Sequence, residues 1–97
     1  MAAYVTLVRY TQTGIQNVKE SPSRLERARQ VASSMGATIK EVYLTMGRYD
    51  MVALVEAPDD ATAAKALLAI GSAGAITTET LRAFPEDEYR SIVAALP

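Results

Sequence analysis

The chain contains no cysteine and no histidine among its 97 residues. Without cysteine it has no disulfide framework, no thiol nucleophile and no thiolate metal site. Without histidine it lacks the commonest transition-metal ligand and the commonest general base near neutral pH. These two absences exclude most metallohydrolases and most catalytic triads, and we expect neither a metal nor a cofactor.

Long apolar segments are absent as well. The first residues show no charged stretch followed by an extended apolar core, so they do not have the pattern of a signal peptide. Apolar runs such as residues 66–70 are far too short to span a bilayer. We therefore expect a cytoplasmic protein that does not interact with membranes.

The chain has no surplus of positive charge, because it contains ten Lys and Arg residues and eleven Asp and Glu residues. A nucleic-acid binder needs a surplus of bases to neutralise phosphates, so we expect no nucleic-acid partner. The charges are unevenly placed, with seven of the bases in residues 1–48 and eight of the acids in residues 49–97. Two interpretations stay open. Either two solvated helices carry opposite charge, or a basic first helix docks an acidic partner or ligand.

What is present suits one small globular domain spanning residues 1–97. Hydrophobic residues make up 49% of the chain and charged residues 22%, which is ordinary for a soluble protein. The pattern predicts a strand-helix-strand-strand-helix-strand order and then a terminal helix. Strands are predicted at 3–10, 38–45, 49–57 and 75–84, helices at 21–35, 61–70 and after Pro85, and a short helical turn at 15–20.

Local signals mark the helix ends. Ser21 is predicted to cap the first long helix, with Pro22 at its first position, and Ser23 with Glu26 offers a capping box as an alternative start. Gly36 is predicted to end that helix in the left-handed conformation.

Gly47 lies between the second and third strands and is predicted to take a positive φ in a tight hairpin. On that basis Gly47→Val would strain the backbone. A phosphate-cradling role is the weaker alternative, because one glycine does not make a P-loop.

The alternation of apolar and polar residues along each predicted strand predicts the order of the strands in the sheet. The third strand is apolar on both faces, and so is the first, which places both in the centre. The second and fourth strands carry more polar residues and suit the edges. The chain is therefore predicted to be α+β, a ferredoxin-like βαββαβ fold with a four-stranded antiparallel sheet of order 4-1-3-2 and a C-terminal helix.

Two helices cover only one face of such a sheet, and the terminal helix is too short to cover the other. We therefore expect a homo-oligomer, specifically a homodimer that packs sheet against sheet as a dimeric α+β barrel. Lysine at Val52 or Ala53 should disrupt folding at one position and association at the other, but parity alone does not say which faces the partner.

Several segments resemble the GYD-domain family of small bacterial proteins. The resemblance spans nearly the whole chain and implies a dimeric α/β-barrel fold without implying a reaction. It is carried by Gly47-Arg48-Tyr49-Asp50 and the preceding Tyr43-Leu44-Thr45-Met46, by residues 19–26, by Glu56-Ala57-Pro58-Asp59-Asp60 with Ala63-Ala64, by Ala69-Ile70-Gly71-Ser72, and by residues 78–84.

Polar side chains are predicted to meet at one end of the sheet, because antiparallel pairing brings the end of strand one to the start of strand three. They would form the mouth of a pocket for a small organic ligand. The candidate ligand-binding residues are Tyr49, Asp50, Tyr10, Arg9, Arg48 and Glu79, with Arg82 as the weakest member.

Plainer interpretations stay open for two of these residues. Asp50 would cap the hairpin backbone or pair with an arginine. Tyr49, predicted to share a face with Met51, would be a core or interface aromatic.

Three functions stay open. The first is a module that binds or senses a small ligand. The second is a structural or assembly module with a filled barrel. The third is a cofactor-free enzyme resembling the small barrel monooxygenases and lyases, with Tyr49 or Tyr10 acting beside Asp50 and Arg82.

Overall fold

The computed structural model describes residues 1–97 as one four-stranded sheet with helices. No helix in it has both the length and the apolar character needed to cross a membrane. In chain order the elements are β1 (Ala2–Tyr10), α1 (Gln12–Gln16), a 3-10 turn (Val18–Glu20), α2 (Ser21–Ser34), β2 (Thr38–Leu44), β3 (Met51–Ala57), α3 (Asp60–Gly71), β4 (Ile76–Ala83) and α4 (Glu86–Ala94).

The sheet is antiparallel with strand order β2-β3-β1-β4. This is the predicted order 4-1-3-2 read from the opposite edge, so the topology expected from strand parity is confirmed. β1 and β3 are central and pair from Ala2 opposite Ala57 to Val8 opposite Met51. The edge strand β2 has a bulge between Ile39 and Glu41, which shifts its alternation by one residue.

One face of the sheet packs against α2 and α3. Because strand side chains alternate between faces, Tyr4, Thr6 and Val8 of β1 lie on this side, opposite Val55, Ala53 and Met51 of β3. The buried cluster on this side is dominated by alanine; it consists of Tyr4, Ala32, Ala37, Ala53, Val55, Ala57, Ala63 and Ala66. Small side chains therefore form most of the core.

The other face of the sheet has no cover from its own chain. Val5 lies opposite Leu54, Leu7 lies opposite Val52, and Leu81 lies beside Val5 on β4. Leu54 is 37% exposed and Leu81 is 49% exposed. We call Val5, Leu7, Val52, Leu54 and Leu81 the open face. Of the two positions on β3 that the sequence left undecided, Val52 therefore lies on the open face and Ala53 packs under the helices.

The terminal helix α4 leaves the open face uncovered. Every residue from Phe84 to Pro97 is exposed, so α4 packs little against the rest of the chain. It is nevertheless amphipathic, with Tyr89, Ile92, Val93 and Leu96 all largely exposed. This helix contributes an apolar stripe with no partner in its own chain.

The helix ends follow the predictions in part. Gly36 has a φ of 89°, so the left-handed end of α2 is confirmed. The serine cap is wrong: Glu20 occupies the cap position without a side-chain hydrogen bond, Ser21 is the first helical residue and Pro22 the second. At α3, Asp59 accepts a hydrogen bond from the Thr62 backbone N–H at 2.8 Å. That bond lowers the pKa of the Asp59 carboxyl.

The prediction for Gly47 is wrong. Its φ is not positive, since only Gly36 and Gly74 have positive φ. The link from β2 to β3 spans six residues, 45–50, and a loop of that length turns without a left-handed residue. A Cβ at Gly47 would meet nothing within 4 Å.

Gly14 is the glycine on which packing depends. It is buried in α1, and a Cβ there would overlap the backbone carbonyl of Ala75. That carbonyl accepts the Thr11 N–H at 3.0 Å, and the Thr11 hydroxyl donates to Gly74 O at 2.6 Å. The close approach of α1 to the start of β4 therefore requires a residue without a side chain.

Gly14→Ala is expected to lower the free energy of unfolding by about 3 kcal/mol, because either α1 or the Gly74–Ala75 backbone must move. Gly47→Ala is the matched control and should stay near wild type. Urea denaturation followed by circular dichroism measures both. Equal stability of the two variants would contradict the close packing of α1.

Candidate functional site

The segment between β2 and β3 is irregular but held firmly. The Thr45 N–H donates to Asp50 O at 2.9 Å, and the Asp50 N–H donates to Val8 O at 2.8 Å. The Thr45 hydroxyl donates to Tyr49 O at 2.5 Å. These bonds fix the backbone of Tyr49 and Asp50 just before β3 begins.

The Asp50 carboxylate has a structural role. Its Oδ2 accepts the backbone N–H of Tyr10 at 2.9 Å, where β1 runs beyond its last paired residue with β3, Val8. A partly buried N–H would otherwise lack a partner, which is costly. The geometry therefore agrees with the capping interpretation of Asp50, although the backbone it caps is that of β1.

Tyr49 lies with Arg9 and Glu79 at one end of the open face. The Tyr49 hydroxyl donates to Glu79 Oε2 at 3.2 Å, and the Arg9 guanidinium carbon lies 5.0 Å from the centre of the Tyr49 ring. The distance suits a cation–π contact. We call Arg9, Tyr49 and Glu79 the polar triad. It borders a depression of about 230 Å³ that Leu7, Thr77 and Thr78 also line.

The expected shared face of Tyr49 and Met51 is wrong. Met51 lines the helix side of the sheet, whereas Tyr49 contacts Arg9 and Glu79 on the open side. Parity failed here because β3 begins only at Met51, and the irregular backbone before it does not alternate.

Tyr10 and Arg48 do not join the polar triad. The Tyr10 hydroxyl shares a hydrogen bond with Ser21 Oγ at 2.9 Å on the helix side. Arg48 is exposed at the turn. Tyr10 and Asp50 do lie at the same end of the sheet, as predicted, but the link between them is the Tyr10 backbone.

Arg82 lies at the opposite end of the sheet, so its inclusion in the predicted pocket is wrong. It lies across from Tyr4, and its Nε is 3.8 Å from Asp60 Oδ1. The Tyr4 hydroxyl donates to the same Asp60 oxygen at 2.5 Å, and this bond raises the pKa of the Tyr4 hydroxyl, with burial as the next cause. A catalytic set of Tyr49 or Tyr10, Asp50 and Arg82 is therefore not assembled within one chain.

One cavity on the helix side of the sheet was missed by the sequence predictions. It is a cleft of about 390 Å³ between α2, α3 and the sheet, with a mainly apolar lining. Cavity volume has no signature in hydrophobic periodicity. The available signal was the alanine content of positions that face the sheet, including Ala28, Ala32, Ala66 and Ala69.

The folded chain has no cluster of three or more Asp or Glu side chains that could hold a metal ion. Beside the two cavities, polar groups converge in the polar triad on the open side and in the Tyr10–Ser21 pair on the helix side. Both arrangements suit hydrogen bonding to an organic molecule.

Comparison with known families assigns the chain. A family model described as GYD domain matches residues 4–93. The chain belongs to the GYD-domain family. The resemblance carried by Gly47-Arg48-Tyr49-Asp50 and the other segments is thereby confirmed.

Similar proteins include one with a binding role in its name. A Thermus thermophilus protein called glutamine synthetase and cystathionine beta-lyase binding protein is 34% identical over 86 residues, which cover 88% of this chain and 90% of that protein. The crystal structure of TTHA0845 from Thermus thermophilus matches with a TM-score of 0.57 at 26% identity, over 88% of this chain and 95% of that one.

A second solved structure shares the fold. MtbAldR matches with a TM-score of 0.69 at 15% identity. The match covers 88% of this chain but only 52% of that protein, so this chain corresponds to about half of it. At this identity the likeness concerns the α+β fold alone.

Asp50→Ala is expected to lower the free energy of unfolding by about 1–2 kcal/mol, because the Tyr10 N–H loses a charged acceptor. Asp50→Asn keeps an acceptor oxygen and should lose less. Hydrogen exchange at the Tyr10 amide, measured by NMR, should accelerate in the alanine variant. Unchanged exchange there would show that the carboxylate does not hold the end of β1.

Proposed function

We propose that this protein is a homodimeric binding protein. Two copies join through their open faces into a dimeric α+β barrel, and the dimer binds another protein. The observation that carries this proposal is the open face itself, a contiguous set of aliphatic side chains on two central strands and one edge strand. Large exposed apolar patches of this kind mark interaction surfaces.

The distribution of side chains across the sheet supports self-association. Leu54 and Leu81 are exposed, whereas alanines predominate on the buried side of the sheet. Burial of apolar surface is the main driving force of folding and association. A chain that exposes its larger aliphatic residues gains that free energy only when a partner covers them.

The size of the surface fits an interface to which α4 contributes. From strand spacing and rise, the sheet face measures roughly 450 Å² in projection, against about 800 Å² per partner in a standard stable interface. The apolar stripe of α4, with Tyr89 and Ile92 exposed, supplies further area. In the dimer α4 packs against the partner protomer, which explains why it packs against nothing in its own.

The relative from Thermus thermophilus suggests the kind of partner. Its name describes a protein that binds glutamine synthetase and cystathionine beta-lyase, and the match covers nearly all of both chains. We propose that the present chain likewise binds a metabolic enzyme. Its outer helical surface, with α2 and α3, stays available when the open faces are joined.

A small ligand is the second candidate function, and the polar triad favours it. The depression beside Tyr49 and Glu79 also borders Leu7 of the open face. Joining two open faces would place this depression at the rim of the interface, where a small organic molecule could bind between subunits. The enzyme alternative has only the likeness of folds in its favour.

Val52→Lys is expected to produce a folded monomer, because it puts a charge into the proposed interface. Ala53→Lys should instead prevent folding, since Ala53 is buried under the helices. Sedimentation velocity and circular dichroism separate the two outcomes, with the exposed substitution Ala64→Lys as control. A wild-type protein that sediments as a monomer at micromolar concentration would contradict the dimer.

Binding to an enzyme partner is expected to be direct and saturable. The measurement is biolayer interferometry with purified glutamine synthetase and cystathionine beta-lyase from the same organism, with an unrelated enzyme of similar pI as control. We expect a Kd in about the micromolar range, typical of a transient regulatory contact. Absence of binding to both enzymes by the dimeric protein would overturn the proposed partner class while leaving the dimer intact.

A further inference from the structure

The cleft on the helix side of the sheet is distinct from the open face. It lies within one chain, between α2, α3 and the inner face of the sheet, with a volume of about 390 Å³. Small-molecule sites typically measure about 300–1,000 Å³. We propose that this cleft binds an apolar monocarboxylate, with the hydrocarbon part among the alanines and the carboxylate beside the arginines of α2. This inference is independent of the proposed dimer.

The cleft exists because the facing side chains are too short to fill it. Ala28 and Ala32 of α2 and Ala66 and Ala69 of α3 line the cleft, and the sheet contributes Ala53. Protein interiors are normally packed to the density of organic crystals. Unfilled volume destabilises a fold in proportion to its size. A ligand that fills this space therefore stabilises the folded chain.

One end of the cleft is polar. The Tyr10 hydroxyl and Ser21 Oγ are 2.9 Å apart there, and Arg24 lies one helical turn after Ser21 on the same face of α2. The Arg24 guanidinium donates to Asn17 O at 3.0 Å and to Gly14 O at 3.1 Å. These two bonds fix its position and leave other N–H groups free, since a guanidinium has about five.

The charge of the lining selects an anion. Arg24 and Arg27 both line the cleft, and no aspartate or glutamate does. The only other polar lining groups are hydroxyls, on Thr6, Thr78, Tyr10 and Ser21. Guanidinium groups bind carboxylates through strong, charge-assisted hydrogen bonds. The basic charge of the first long helix, α2, would thus serve to bind the carboxylate of the ligand.

The remainder of the lining is aliphatic and suits a hydrocarbon chain. Val31 and Leu67 stand beside the alanines, and the sheet adds residues of the same kind: Val8, Ile39, Val42, Met51, Val55 and Ile76. A ligand with polar groups along its length would leave them without partners here. A ligand with one charged group and an otherwise apolar hydrocarbon chain therefore matches both the polar end of the cleft and its aliphatic part.

The test is to titrate decanoate into the full chain and to measure its binding by calorimetry. Decanoate is used below the concentration at which it aggregates. Decanol and decyltrimethylammonium carry a similar chain without the negative charge. We expect saturable binding of decanoate, at least roughly tenfold tighter than either control, because a charged hydrogen-bonding partner is lost in both. Equal affinity for all three compounds, or no binding of any, would overturn the proposal.

Two pairs of variants locate the site. Ala69→Leu fills the cleft and should weaken decanoate binding at least roughly tenfold while raising the melting temperature; Ala64→Leu, on the exposed side of the same helix, should do neither. If Ala69→Leu does not fold, Ala28→Leu fills the cleft from α2. Arg27→Gln should weaken binding roughly tenfold, and Lys19→Gln, outside the cleft, should not.

The open face provides the last control. Val52→Lys should bind decanoate as the wild type does, because Val52 lies on the other side of the sheet. Loss of binding in Val52→Lys but not in Ala69→Leu would place the ligand on the open face and overturn the cleft as its site.

Discussion

The pairing of β1 with β3 determines where every other part of the molecule lies. In that register Tyr4 lies opposite Val55 on the helix side, and Val5 lies opposite Leu54 on the open side. A slip of one residue would exchange the two sets, because side chains alternate strictly along a strand. Asp50 secures the end of this pairing by accepting the Tyr10 N–H. Both the cleft and the open face depend on the same run of backbone hydrogen bonds.

The two sides of the sheet divide the apolar residues in an unusual way. The helix side is rich in alanine, whereas the open side carries valine and leucine. A monomer stabilised only by its own core would bury its largest aliphatic residues first. Here the chain instead leaves Leu54 and Leu81 exposed and leaves space above Ala53. The stability of the assembled protein is therefore expected to come from a partner on one side and from a small molecule on the other.

Strand order and the two-sided apolar character of β1 and β3 could be predicted from the sequence, because alternation is a property of the whole strand and survives local irregularity. Predictions that relied on a single residue were less reliable. Gly47 was expected to force a left-handed turn, but the six-residue link reverses direction with ordinary dihedral angles. Tyr49 lies on the open side of the sheet, and not on the helix side with Met51, because the alternation of side chains between the two faces does not extend before Met51. The cleft escaped prediction because periodicity reports which residues are inside and says nothing of whether they fill the interior.

An interior lined by methyl groups also has a consequence for how this family can diversify. Where a lining alanine borders the free volume, its replacement by valine, leucine or serine changes one side chain and leaves the strand register as it is. Such steps would shorten, reshape or polarise the cleft while the open face and its assembly stayed the same. One scaffold could then acquire different small-molecule preferences in different lineages through point mutations alone. The sheet and its pairing would be inherited unchanged.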